Sequence, residues 1–205
     1  MNEKPIDINQ RIPLDVLHAV LESYLIDKIS DSYIIEQLSL HFQGENRLKK
    51  SLRIIKKVII NNPIIECIDE NKSQVLQAIK KKDDRNLILV ALLNAAFSFS
   101  YDVALILGRL FKAQEEVSRE ALTRQLSRIY GGNRSMANAV DSVIPMFLEA
   151  RLFLRPKPGL YKWNGGIQIS LPIVNQIFIE SFRINNSITQ VMEHQLNDPY
   201  FIFLK

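Results

Sequence analysis

Apolar residues recur at i, i+3 or i+4 and i+7 through most of this chain, and that spacing predicts a series of amphipathic helices. Leu14, Leu17, Leu21 and Leu25 mark the first, running to about Lys28. Ser30 or Asp31 caps a second, which carries Ile34, Leu38 and Phe42 and ends near Gly44. In the third, ENRLKKSLRIIKKVIINN, Leu48, Leu52, Ile55 and Ile59 share a face while Lys49, Lys50, Arg53, Lys56 and Lys57 surround the others. Asn61-Asn62-Pro63 ends it, and a short helix around Ser73 to Lys82 follows. Two apolar helices come next: one to about Phe97, the other from Ser100 or Asp102 and carrying Leu105, Ile106, Leu110 and Phe111. The opening MNEKPIDINQRIP lacks an apolar core region, so it reads as an extended arm and not as a secretory signal.

From Val117 the pattern changes. Ser118 has the side chain of an N-cap, and Leu122, Leu126 and Ile129 make one buried stripe after it. Gly131 and Gly132 stand where a helix ends on a residue tolerating positive φ, and Asn133 or Ser135 caps the next helix. That helix turns Val140, Val143, Ile144, Phe147 and Leu148 inward and leaves Arg134, Asn138, Asp141 and Ser142 outside. Pro145 lies within it and predicts a kink or a split. Two short strands, Leu152 to Leu154 and Leu160 to Trp163, flank Arg-Pro-Lys-Pro-Gly and predict a hairpin. Helix, glycine turn, helix, basic hairpin is the order of a winged helix-turn-helix.

Ile167 to Leu171 is expected to add a third strand, and Pro172 to open a helix carrying Ile173, Ile177 and Phe182. Further helical turns from Ile188 to His194 lead to an apolar tail, Tyr200 to Leu204, which must dock on its own chain or on a partner. The expected fold is therefore mainly α. It comprises a helical domain over residues 1–113, a winged helix-turn-helix over 114–170, and a C-terminal helical segment with its tail over 171–205.

Charge sharpens this picture. From Ser118 to Gly165 there are eight basic and three acidic residues, a net +5, whereas the whole chain is only +4. The positive excess therefore lies in this segment, as expected of a phosphate-binding surface. The candidate DNA contacts are Arg119, Arg124, Arg128, Arg134, Ser135, Asn138, Arg155, Lys157 and Lys162. In the first turns of the second helix Arg134 is placed to meet guanine and Asn138 adenine, while Arg124, Arg128 and Lys157 meet phosphate. The helix bearing Lys49, Lys50, Arg53, Lys56 and Lys57 is a second basic surface, either a solvated helix back or an extension of the same track.

No catalytic constellation stands out: there is no phosphate-cradling glycine loop, CxxC, HExxH or nucleophile elbow. His18, His41 and His194 are scattered, and neither an enzyme nor a cofactor is expected. The single cysteine, Cys67, lies in an apolar run and fits a buried thiol in a reducing cytoplasm. Asn86 to Gly108 is the one stretch resembling a membrane span. Asn94, Ser98, Ser100 and Asp102 interrupt it, so two buried helices fit better.

With the helices placed, four segments resemble the small helical BrxA-type proteins of bacterial BREX phage-defence systems, a family once labelled as putative inner-membrane proteins. They are LDVLHAVLESYLIDKIS, ENRLKKSLRIIKKVI, NLILVALLNAAFSFSYDVALIL and MFLEARLF, and the likeness runs from about Leu17 to Leu154. The resemblance implies a DNA-binding accessory subunit of a defence complex, and it transfers no catalytic residue. Two other readings remain open on the residues alone: a dimeric winged-helix transcription regulator, for which a homodimer would supply two-fold symmetry, and a protein-only interaction module.

Overall fold

The computed structural model describes residues 4–131 and 133–205. Among them it is mainly helical with one small antiparallel sheet. The first half holds α1 (Leu14–Leu25), α2 (Asp31–Ser39), α3 (Glu45–Ile55), α4 (Ile65–Glu70), α5 (Lys72–Ala78), α6 (Lys82–Ala96) and α7 (Ser98–Ala113). Then come β1 (Glu116–Ser118), α8 (Arg119–Tyr130), α9 (Met136–Glu149), β2 (Phe153–Lys157), β3 (Leu160–Trp163) and α10 (Pro172–Asn185). Two 3-10 segments, Glu193–Asn197 and Pro199–Phe203, complete it.

Helix α6 is the centre. Every residue from Leu87 to Ala96 is buried, because α1, α7, α10 and the turn after α3 cover it on all sides. This explains the membrane-like run, and no helix among the described residues is long and apolar enough to cross a membrane. The amide of Asn94 is satisfied within the core: its Nδ2 donates to the Tyr200 hydroxyl (3.0 Å) and its Oδ1 accepts from Ser100 Oγ (2.7 Å).

The N-terminal arm is extended but not free. Ile8 and Ile12 are buried, and Asp7 caps α7 from 91 residues upstream, accepting from Ser98 N (2.8 Å). That cap starts α7 at Ser98, earlier than the Ser100 or Asp102 expected from sequence. Asp102 therefore lies inside the helix, buried, where it accepts from the Tyr130 hydroxyl (2.7 Å) and from Lys4 Nζ (2.8 Å). These bonds join the arm, α7 and the end of α8.

Two further boundaries differ from the sequence reading. Helix α2 stops at Ser39, before Phe42. The basic helix loses α-helical pitch at Lys56 and runs as a π turn over Lys56–Ile60. The wider turn accommodates one extra residue, so Ile54 and Ile55 are buried before it and Val58 and Ile59 within it.

The sheet has the order β1-β3-β2, with Val117 opposite Tyr161 and Phe153 opposite Trp163. Its third strand is thus Glu116–Ser118, and the expected strand from Ile167 to Leu171 does not form. Ile167 instead makes a single parallel bridge to Leu204, with Ile167 N donating to Phe203 O (2.8 Å) and Lys205 N to Ile167 O (2.9 Å). The helical turns expected from Ile188 to His194 do not form before Glu193, where the first 3-10 segment begins.

The apolar tail docks on its own chain. Tyr200 and Phe203 are fully buried, and the Tyr200 hydroxyl meets Ser181 Oγ at 2.6 Å. Gly108 on α7 makes room for it, since a Cβ there would lie 2.0 Å from the Pro199 carbonyl oxygen. Buried side chains form one cluster from Ile8 to Phe203, and it includes residues of all three expected segments.

Candidate nucleic-acid interface

Local rules build the paired helices α8 and α9. Ser118 Oγ accepts from Ala121 N (3.1 Å) and starts α8, which buries Leu122, Leu126 and Tyr130 and leaves Ile129 half-buried. Gly131 ends it with a φ of 62°, a value that favours glycine. Gly132, the other member of the pair, lies outside the described residues. Asn133 Oδ1 accepts from Ser135 N (2.9 Å), shaping the turn. Ser135 occupies the N-cap position of α9 without a side-chain cap bond, so neither Asn133 nor Ser135 supplies the expected side-chain cap.

Helix α9 buries Val140, Val143, Ile144 and Phe147 against α7 and β2. Ser142, expected outside, is buried too, because its hydroxyl returns to the Asn138 carbonyl (2.7 Å) instead of needing water. Pro145 neither splits nor ends the helix, which continues to Glu149. At Pro145 the helix lacks one backbone hydrogen bond. Arg134, Ser135, Asn138 and Asp141 face solvent.

The candidate cations fall into two groups. Arg119 is held by Asp141 (2.6 Å), and Lys162 faces Glu115 (3.3 Å). Arg119 therefore links α8 to the exposed face of α9. Arg124, Arg128, Arg134, Arg155 and Lys157 are exposed and have no carboxylate partner among the described residues. Arg128 also donates to Gln125 Oε1 (3.2 Å). Free cations thus occur on α8, before α9 and along β2.

On the second basic helix Lys49 pairs with Glu45 (2.5 Å) and Lys56 with Asp31 (2.7 Å), while Lys57 Nζ lies 4.4 Å from the centre of the Phe97 ring. Lys50 and Arg53 stay exposed. The structure brings this helix beside α9, which no spacing in the sequence foretells. A groove of about 520 Å³ is lined by Arg47 and Lys50 from α3, Asn138 and Asp141 from α9, and Gln10 and Arg11 from the arm. Gln10 is tied by hydrogen bond to Ser51, fastening the arm to α3. The arm is the part of this surface that sequence reasoning missed.

The remaining titratable candidates behave as isolated groups. Cys67 is half-buried, not fully buried, and burial, then Glu180 and Glu70, push its thiol up to about 11. A thiol so held is a poor nucleophile at neutral pH. His41 Nε2 is 3.3 Å from Asp15 Oδ2, and no group of His, Cys, Asp or Glu side chains suited to a metal ion occurs among the described residues.

His18 is held below its ordinary value of 6.5, first by burial and then by Arg85, with Glu22 opposing. The unfolded chain therefore takes up a proton near pH 6.5 before the folded chain does. This part of the stability is complete above that pH and declines as pH falls toward the folded value. In urea titrations from pH 7.5 down to about 5, a His18→Gln chain should lose less stability than the parent; equal losses would show that other groups dominate.

Comparison with protein-family models, curated proteins and solved structures gives no match to this chain, so its surface chemistry carries the functional argument.

Proposed function

We propose that this protein is a non-catalytic, double-stranded-DNA-binding accessory protein, with β1 to β3 acting as a winged helix-turn-helix. The supporting observation is the coincidence of exposed, carboxylate-free cations with that element order: Arg124 and Arg128 on α8, Arg134 before α9, and Arg155 and Lys157 on the hairpin. The strand before α8 pairs onto the hairpin, an arrangement that gives a wing a fixed base beside the second helix. Membership of a BREX-type defence system is the part of the proposal that rests on the sequence resemblance alone.

In this reading α9 enters the major groove by its N-terminal end, where Arg134 and Asn138 meet base edges. Arg119, Ser135 and Lys162 complete the candidate contacts, and the groove shared with α3 continues the positive track through Arg47 and Lys50. Lys157→Ala should weaken binding to every duplex alike and lower the salt slope by about one. Arg134→Ala should cost about 1–3 kcal/mol on a preferred site and much less elsewhere. Fluorescence-anisotropy titrations of both variants on several duplexes, with folding checked by circular dichroism, test the assignment. If both bind every duplex like the parent, α9 and the hairpin are not the DNA surface.

A protein-only role is favoured by one observation, the exposure of Leu154 on β2 to 51% of its full surface. An apolar side chain at that edge suits a protein partner. Binding to such a partner without retention on DNA would support it.

A further inference from the structure

Next to the groove, and sharing Arg11 and Arg47 with it, lies a second cavity of about 520 Å³. It is assembled from four regions far apart in the chain: the arm with α1, the turn between α2 and α3 with the start of α3, the start of α6, and the end of α9. Its volume is in the range of small-ligand sites.

Its charges are unevenly balanced. Glu149 pairs with Arg11 and also accepts from Leu14 N (3.0 Å) at the start of α1, so its carboxylate is engaged twice. Asp15 faces His41. Both carboxylates of the lining thus have partners. Arg47, Lys82 and Arg85 have no carboxylate partner among the described residues, although all three line the cavity. The Arg47 guanidinium lies 4.4 Å from the centre of the Phe42 ring, which fixes its position beside an apolar surface. The His18 imidazole lies on the same side, and Leu14 and Pro13 extend the apolar one.

Two guanidinium groups and an ammonium lining one concave space suit a phosphate group, whose oxygens accept several charge-assisted hydrogen bonds at once. The apolar part of the lining suits the sugar or base that such a group carries. We propose that this cavity binds the phosphate of a nucleotide, either free or as the 5′ end of a nucleic-acid strand lying in the adjoining groove. The strand-end form rests on the DNA-binding reading, whereas the free-nucleotide form stands without it. An anion between Arg85 and His18 also favours the protonated imidazole, opposing the burial and, second, the Arg85 repulsion that lower its pKa.

The histidines give a direct readout, because His18 and His41 line the cavity and His194 is no part of it. In ¹H–¹⁵N spectra of the full chain at low ionic strength, AMP or a 5′-phosphorylated oligonucleotide should shift His18 and His41 and leave His194 unmoved. Adenosine and the 5′-hydroxyl oligonucleotide should not. By calorimetry, Arg85→Gln and the surface change Lys82→Gln should each weaken phosphate-dependent binding about tenfold or more, with Lys28→Gln as the unaffected control. A response to AMP identifies a free nucleotide, and a response only to the phosphorylated strand identifies a strand end. The proposal is overturned if inorganic phosphate, AMP and the phosphorylated strand all leave His18 and His41 in place, or if both glutamine variants bind as tightly as the parent. Salt-sensitive binding of a 5′-hydroxyl duplex together with silent histidines would remove the cavity and leave the DNA reading intact; nucleotide binding without duplex binding would do the reverse.

Discussion

A Gly108→Ala chain is expected to be less stable than the parent by about 3–5 kcal/mol, the combined effect of overpacking and of the aromatic burial lost when the tail is displaced. The new methyl would lie 2.0 Å from the Pro199 carbonyl oxygen and 2.8 Å from its carbon, and neither is the far end of a flexible side chain. The 3-10 segment Pro199–Phe203 must then lift from α7, carrying Tyr200 and Phe203 out of the core. Urea denaturation followed by circular dichroism measures the loss. Tyr200→Ala alone should cost a similar amount, because it removes a large buried ring whose hydroxyl also serves Asn94 and Ser181. Combined with Gly108→Ala it should add little, since the ring is already displaced. Full additivity would mean that the tail adapts to the methyl without detaching.

Neutralising Arg124, Arg128 and Lys157 together should have the largest effect on duplex binding. Three lost phosphate contacts lower the salt slope by about three, so the decline in affinity between roughly 50 and 200 mM salt should shrink by about 40-fold. Affinity at the lower salt should fall far more than in any single variant. All three side chains are exposed and unpaired with carboxylates, so the fold should survive the change. Unchanged binding would move the interface to Lys50 and Arg53, beside the groove between α3 and α9.

What could be read in the sequence was what neighbouring residues decide among themselves. Ser118 caps the helix it precedes, Gly131 ends that helix, and Pro158-Gly159 turns the hairpin, each within a few residues of its effect. The apolar stripes of α1, α9 and α10 were legible for the same reason. Features fixed by distant partners were not. β1 is three residues long, too short for an alternating pattern, and exists because Tyr161 and Lys162 lie alongside it. Asp102 reads as a helix start until Tyr130 and Lys4 are seen to converge on it, while the actual cap is Asp7. Ser142 has the polarity of an outward residue, and only its bond back to Asn138 shows why burial suits it.

The candidate site divides in the same way. Exposure of Arg124 follows from helix phase, whereas Arg134 precedes α9 and Arg155 and Lys157 are exposed together with Leu154 on a strand whose burial does not alternate. The pairing of Arg119 with Asp141 joins two helices across a turn, and the groove with α3 joins segments more than eighty residues apart in the chain. Periodicity has no means of signalling such juxtapositions.

The stitching of both chain ends into the middle bears on how quickly the native state is reached. Helical proteins rich in local contacts fold in microseconds to milliseconds, because closing short loops costs little entropy. Here the bond from Leu14 N to Glu149 spans 135 residues, that from Asn94 to Tyr200 spans 106, and that from Lys4 to Asp102 spans 98. Helix α6 keeps part of its apolar surface in water until α1 and α10, distant from it on either side in the sequence, pack against it. During that interval the most apolar run of the chain is the surface most prone to aggregation, so dilution during refolding favours recovery of the native protein.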